Sequence, residues 1–303
     1  MNIIGHRKIY YAISGIFVAA AVIALAMWGL RLGIDFKGGS TLEISYPNHD
    51  RPETGQIADS LKPLNLSDLR ISPVGADEVN LRFKETDEAV HQQIVAILQT
   101  NNAVEEKQFS SIGPTIGAEL KQKSLQAIIL VLLGISLYIA WAFRKVSQPL
   151  SSWRYGAATL AALFHDLIIP LGLFAFLGHF SGVEIGSDFI VALLVILGFS
   201  VHDTIVVFDR IRENLKRYSS LDFASLVNKS VNETFVRSVN TSFTVLLTLF
   251  ALYLFGGASL KYFILALMVG IFSGTYSSIF IASPILVSWH RFLSGRSAIG
   301  KRG

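Results

Sequence analysis

The chain contains no cysteine, and only 16% of its 303 residues are charged. Without thiols, disulfides and thiolate metal sites are excluded, and the redox compartment leaves no trace in the sequence. A soluble chain typically carries about a quarter charged residues, so the scarcity of charge points away from a solvated globule. The glycine-rich stretch at residues 33–39 lacks the G-x-x-x-x-G-K-[ST] order that cradles nucleotide phosphates. Nothing else points to ATP hydrolysis, so an energy source must lie elsewhere. No serine nucleophile or metal-ligand cluster accompanies the histidines, which argues against an enzyme and leaves no cofactor to expect.

What is present is hydrophobic: 51% of the residues. Apolar runs of about 20 residues, enough to cross roughly 30 Å of hydrocarbon, occur near residues 9–30, 124–143, 153–177, 187–208, 238–255 and 262–289. The last is long enough to tilt or kink, and Pro284 supplies a cause. The formal charge of +4 does not imply nucleic acid, because the basic residues bracket apolar segments instead of forming a patch.

The bracketing sets an orientation. Arg7 and Lys8 precede the first run. Arg144, Lys145 and Arg154 join the second to the third, and Arg210, Arg212, Lys216, Arg217 and Lys229 lie between the fourth and fifth. Arg291, Arg296, Lys301 and Arg302 follow the sixth, whereas the opposite short loops, 178–186 and 256–261, contain only Lys261. The positive-inside rule then places both termini in the cytoplasm and the long loop 31–123 outside. A basic start followed by an apolar stretch and Ala24-Leu25-Ala26 also resembles a cleavable signal peptide. The run continues past that site for a full crossing, which favours an uncleaved anchor.

The long loop reads as a small domain. Thr41-Leu42-Glu43-Ile44-Ser45-Tyr46 and Val79-Asn80-Leu81-Arg82-Phe83 alternate as half-buried strands do. Residues 56–61 read as a short helix, 69–74 as a strand, Gly75-Ala76-Asp77-Glu78 as a turn, 86–98 as a second helix, and 104–110 as a closing strand. The order β-α-β-β-α-β is that of the split βαβ, or ferredoxin-like, motif. Its acids and bases are scattered as on a solvated face, so a binding or lever role fits better than chemistry. The expected architecture is thus an α-helical polytopic membrane protein: six transmembrane helices with a small α+β ferredoxin-like extracytoplasmic domain. Its parts are a cytoplasmic N-terminus with the first helix (1–30), the extracytoplasmic domain (31–123), a five-helix region (124–290) and a cytoplasmic tail (291–303).

Two aspartates interrupt the apolar runs, each directly after a histidine: His165-Asp166 and His202-Asp203. An ionisable side chain at membrane depth costs roughly 2.5 to 3.5 kcal/mol on insertion scales, so such residues usually face a bundle interior and carry ions or protons. Proton-coupled transport is therefore the first hypothesis. Arg237 begins a stripe with Asn240, Thr241, Thr244 and Thr248 at helical spacing. Facing Asp203, that stripe would offer partners to its carboxyl in both protonation states. The competing reading is a permanently paired ion bridge that only orients helices. For Asp166 a relay role stands beside satisfaction of a helix kinked at Pro170. His165 and His202 suit hydrogen bonding better than metal ligation. Asp209 adjoins Arg210, Arg212 and Glu213 in a solvated connector. Gly270 and Gly274 form a G-x-x-x-G pattern that allows close helix approach, within this chain or with a partner.

Four motifs then converge. Gly33-Ile34-Asp35-Phe36-Lys37-Gly38-Gly39, Gly113-Pro114-Thr115-Ile116-Gly117, Val201-His202-Asp203-Thr204-Ile205-Val206-Val207-Phe208-Asp209-Arg210 and Arg237-Ser238-Val239-Asn240-Thr241-Ser242, in this order and spacing, resemble the SecF family over almost the whole chain. The resemblance implies a subunit that works with SecD, beside the SecYEG channel and the SecA motor. Together they would assist a translocating polypeptide across the bacterial inner membrane, using the proton gradient. It implies kinship with resistance-nodulation-division transporters, contact with membrane lipid, and a proton-coupling role for Asp203 and Arg237. A proton-coupled small-molecule or lipid exporter of that superfamily would share the buried acids, but usually needs two large exported loops and twice as many spans in one chain. A purely structural subunit would share the packing and tolerate a neutral residue at 203.

Overall fold

The computed structural model describes residues 1–100, 102–144, 150–218 and 220–299. Lys145, Lys301 and Arg302 of the expected charge pattern lie outside the described residues. The chain divides into two compact units. One comprises Met1–Arg31, Gln126–Val183 and Asp188–Gly303; the other comprises Leu32–Leu125 and Glu184–Ser187.

The smaller unit is a four-stranded antiparallel sheet with two helices. After a single helical turn, α2 (Ile34–Lys37), come β1 (Gly39–Ser45), α3 (Thr54–Leu61), β2 (Arg70–Val74), β3 (Glu78–Phe83), α4 (Glu88–Gln99) and β4 (Glu105–Ile112). The strand order β2-β3-β1-β4, antiparallel throughout, is that of the ferredoxin-like motif. Period-two alternation puts Leu42 and Ile44 of β1, Tyr46 just after it, and Val79, Leu81 and Phe83 of β3 on one face. There they form a core with Ile57 and Leu61 of α3 and Ile94 and Leu98 of α4. Both helices start on side-chain caps. Glu53 and Gln56 form a capping box for α3, and Asp87 accepts the Val90 N–H at 3.0 Å at the head of α4.

The larger unit holds most of the apolar helical residues. Among the described residues six stretches are long and apolar enough to cross a membrane. They are α1 (Arg7–Trp28), α5 (Pro114–Ala142), α6 (Ser152–Ser181), α7 (Ser187–Arg217), α8 (Phe223–Phe255), and α9 (Lys261–Ser277) followed by α10 (Ser283–Ile299). The start of α5 and the first residue of α7 belong to the smaller unit. Several helices outrun their apolar windows. Helix α7 continues to Arg217 instead of stopping near Phe208, and α8 starts at Phe223 instead of Ser238. The expected solvated connector therefore consists of two helix ends. They are held by Arg210 to Glu213 and Glu233 (both 2.6 Å), Asn214 to Glu233 (2.8 Å) and Lys229 to Glu233 (3.1 Å), with Asp209 paired to Arg212. The sixth crossing is interrupted where Pro284 predicts a break. Residues Ser278–Ala282 form a π-helical turn, which absorbs the missing proline N–H, and Ser283 donates its hydroxyl to the Ser278 carbonyl at 3.1 Å.

Helix α6 is the hub. Gly172 meets Ala21 of α1 so closely that a methyl group would lie 2.2 Å from the alanine Cβ. Towards its start, Tyr155 stacks on Phe143 and meets Phe208 of α7 edge-on, in a core shared with Val231 of α8 and Leu286 of α10. Ile3 and Ile4 are buried in the same cluster, and Asn228 holds this segment by accepting from the Ile4 N–H at 3.1 Å and donating to the Met1 carbonyl at 3.0 Å.

Candidate functional site

The bundle interior places both aspartates against hydroxyl-bearing helices. Asp166 of α6 is fully buried. Its Oδ2 accepts from Ser200 Oγ of α7 at 2.5 Å and from Ser277 Oγ of α9 at 2.7 Å. Its Oδ1 accepts from Ser273 Oγ of α9 at 3.1 Å and lies 2.9 Å from His165 Nδ1. Three serine hydroxyls and the imidazole Nδ1 surround this one carboxyl, and they tie three helices to one side chain. The His165 Nε2, also buried, has no hydrogen-bond partner among the described residues.

That shell exists because two glycines let α7 and α9 touch. A Cβ on Gly270 would lie 2.2 Å from Ile196 Cδ1, and one on Gly274 would lie 2.8 Å from Ser200 Cβ. Gly270 and Gly274 are one turn apart, as are Ile196 and Ser200, so the small face of one helix receives a ridge of the other. The contact made by the G-x-x-x-G pattern lies within this chain. Ser273 and Ser277, interleaved with those glycines, then reach Asp166.

Asp203 sits three residues beyond Ser200 on α7 and is 2% exposed. Its bonding is looser. Ser242 Oγ of α8 approaches Oδ2 at 3.4 Å, and that hydroxyl is shared with Thr275 Oγ1 of α9 at 2.5 Å. Ser238 Oγ, buried one turn from Ser242, makes no close hydrogen bond among the described residues, and the Ser238 and Thr275 hydroxyls both lie near the carboxyl. A carboxyl whose nearest hydroxyl bond is 3.4 Å long, among three hydroxyls, has room to change partners, whereas the one at Asp166 is held from four directions.

Arg237 lies on the outer surface of α8 and makes no ion pair among the described residues. The stripe anticipated from Arg237 through Thr241, Thr244 and Thr248 faces outward, each threonine hydroxyl donating to a carbonyl of its own helix. The face of α8 that meets Asp203 is Ser238–Ser242, one residue further on. A helical residue turns about 100° from its neighbour, so the two stripes are adjacent but distinct. His202 is likewise exposed. Among the described residues no three histidine, aspartate or glutamate side chains converge to hold a metal ion.

Residues 92–292 match the family described as "Protein export membrane protein SecD/SecF, C-terminal", and residues 23–46 match the "SecD/SecF GG Motif". A protein translocase subunit SecF from Thermobaculum terrenum is 44% identical over 303 residues, covering 95% of this chain and 94% of the relative. The chain belongs to the SecF family. Another SecF, from Anaerolinea thermophila, is 39% identical and covers 95% of this chain and 94% of the relative. The crystal structure of SecDF from Thermus thermophilus, a translocon-associated membrane protein, superposes with a TM-score of 0.83 at 32% identity over 96% of this chain. This SecF-family chain spans 39% of that solved chain. Its six apolar helices and small antiparallel sheet are accordingly those of a multi-pass membrane subunit of a protein translocase.

The serines around Asp166 escape a sequence reading because they are dispersed. Ser200 lies in one apolar run and Ser273 and Ser277 in another, and only their spacing beside Gly270 and Gly274 hints at a shared face.

Proposed function

We propose that this chain works with a SecD subunit in the bacterial inner membrane, beside the SecYEG channel and the SecA motor. There it uses the proton gradient to assist a translocating polypeptide. Both termini are cytoplasmic in this reading, and the sheet domain is extracytoplasmic. The observation that carries the coupling proposal is the contrast between the two buried carboxyls. Asp166 has four polar partners within 3.1 Å, while the nearest hydroxyl bond to Asp203 among the described residues is Ser242 at 3.4 Å, with the Ser238 and Thr275 hydroxyls also near its carboxyl.

Asp203 is the group that gains and releases a proton. In one state its carboxyl rests against Ser242; in the other it engages Arg237, which a small rotation of α8 would bring from the neighbouring stripe. Asp166 couples the event to α6 and α9 through Ser200, which shares a turn of α7 with Asp203. The outer face of α8 around Arg237 exposes Val236, Phe243 and Leu247, an apolar surface suited to lipid or to the helices of a SecD subunit. The SecDF chain of Thermus thermophilus is more than twice as long as the part matched here, so it has the length to supply such helices.

The energetics bound the device. One charge crossing about 100 mV yields roughly 2.3 kcal/mol, whereas throwing an equilibrium from 1:99 to 99:1 takes about 5.5 kcal/mol. A single proton at that potential biases the switch without saturating it. The test compares gradient-dependent export in membranes holding equal amounts of complex with Asp203→Asn or Arg237→Met. Loss of the gradient's stimulation is expected in both, and undiminished stimulation in both rejects the pair.

A further inference from the structure

The motif at residues 33–39 takes no part in the proton chemistry proposed for Asp203. Within the sheet-bearing unit, this segment grips the four residues Glu184–Ser187 that lead into α7. Asp35 Oδ2 accepts from both the backbone N–H and the hydroxyl of Ser187, each at 2.6 Å, so it occupies the N-terminus of α7 as a capping carboxylate. Gly33 N–H donates to the Ile185 carbonyl at 2.8 Å, and Leu32 and Ile185 form a parallel β-bridge. A Cβ at position 33 would lie 3.1 Å from that carbonyl oxygen, which explains the glycine. From the sheet, Arg82 of β3 forms an ion pair with Glu184.

The same segment is wedged against the start of α5. A Cβ on Gly38 would lie 2.9 Å from Pro114 Cα, and one on Gly117 would lie 3.0 Å from the Gly38 nitrogen. Residues 33–39 are therefore fastened to Ser187, the first residue of α7, and to the first turn of α5, and run directly into β1. Displacing the first turn of α7 from the sheet would break two hydrogen bonds to a carboxylate, a backbone hydrogen bond and an ion pair together. Hydrogen bonds to charged groups are the stronger kind, so the strongest of these contacts run through Asp35 and the Arg82–Glu184 pair.

We propose that Asp35, reinforced by the Arg82–Glu184 pair, is the positioning residue that couples α7 to the sheet domain. Through it, a tilt of the helix carrying Asp203 becomes a movement of the domain. This inference rests on the reading of Asp203 as the proton-exchanging group, and the experiment separates the two.

Because the chain lacks cysteine, Gln108→Cys on exposed β4 supplies a single alkylation probe of the domain. The full chain with its SecD subunit is placed in vesicles with and without a pH gradient. Protonation of Asp203 is followed in parallel by its reaction with a hydrophobic carbodiimide across pH. The parent is expected to change its alkylation rate when the gradient is imposed. In Asp35→Ala and Arg82→Glu that change is lost, while carbodiimide labelling of Asp203 keeps its pH dependence. Arg82→Glu combined with Glu184→Arg restores the response, which a variant that merely misfolds would not do. Gradient responses equal to the parent's in both single variants, or a parent probe that ignores the gradient, overturn the clamp. A parent in which labelling of Asp203 does not vary with pH overturns the proton reading instead.

Discussion

A methyl group on Gly274 would sit 2.8 Å from Ser200 Cβ and 3.2 Å from its Cα, so α9 and α7 touch backbone to backbone at the level of Asp166. Neither atom belongs to the flexible end of a side chain, so relief requires the helices to part. Gly274→Ala is expected to cost about 1 to 3 kcal/mol, the usual range for overpacking. Gly198→Ala on α7 is the control. Its Cβ would meet nothing within 4 Å, and alanine is the better helix former by roughly 0.5 to 1 kcal/mol. Thermal unfolding of the purified protein in detergent should show the first variant less stable and the second equal or more stable.

Parting those helices also draws Ser200 from Asp166, and the donors can be removed one at a time. Ser277→Ala leaves the Asp166 carboxyl with three donors in a site that water does not reach, at an expected cost of about 1 to 3 kcal/mol. Ser242→Ala removes a hydroxyl 3.4 Å from Asp203 and 2.5 Å from Thr275 Oγ1; Thr275 keeps its bond to the Ile271 carbonyl at 3.0 Å, so this variant should cost less. Because Ser200 and Ser277 bond the same oxygen, the double variant should depart from the sum of the singles. Unfolding midpoints of the four proteins check both statements. A larger loss at Ser242 than at Ser277 would reverse the assignment of Asp166 as the firmly held carboxyl.

Gly38 combines a φ of 78° with a ψ of 165°, a region open essentially to glycine alone and costing others of order 1 to 3 kcal/mol. Pro114 closes the space as well. Gly38→Ala should therefore loosen the sheet domain, measurable as faster proteolysis within residues 39–112. Gly75, with a φ of 61° and no neighbour within 4 Å, should accept asparagine with little change, since asparagine tolerates the left-handed region.

The sheet domain was legible because its code is local. Alternation at Leu42, Ile44 and Tyr46, the turn at Gly75, and polar residues ahead of α4 each fix structure within a few residues, and their order determines the motif. Helix ends were less legible, because hydropathy marks where a segment is apolar and not where its backbone hydrogen bonds stop. Residues 209–217 and 223–237 are polar and still helical, sustained by the ion pairs around Glu233. Asp166 and Asp203 stood out by rarity, but their partners did not. Serines at 200, 242, 273 and 277 carry no individual signal, and a shift of one residue along α8, about 100°, decides whether Arg237 or Ser238 faces Asp203. Phase that fine is set by packing, at contacts such as Gly274 on Ser200, which join residues far apart in the chain.

Glu43 gives the sheet domain a pH dependence of its own. It occupies the middle of β1, opposite Asn80 of β3 and Gln108 of β4. Partial burial raises its carboxyl above the usual range, repulsion from Glu78 adds to this, and Lys107 opposes it. A carboxyl whose value is raised on folding binds its proton more tightly in the native state. Its contribution to stability is therefore full below the unfolded value and is lost as pH rises through the higher native one. Glu43→Gln should remove that loss, making the domain more stable than the parent at neutral pH and flattening the dependence between mildly acidic and neutral conditions. With Val79→Cys as a buried reporter in the full chain, alkylation in moderate urea reads the opening equilibrium at each pH. Slower labelling of the Glu43→Gln protein at neutral pH, converging with the parent in acid, is the expected pattern. A gap that widens on acidification would show that the repulsion from Glu78 and the burial of Glu43 do not govern this strand.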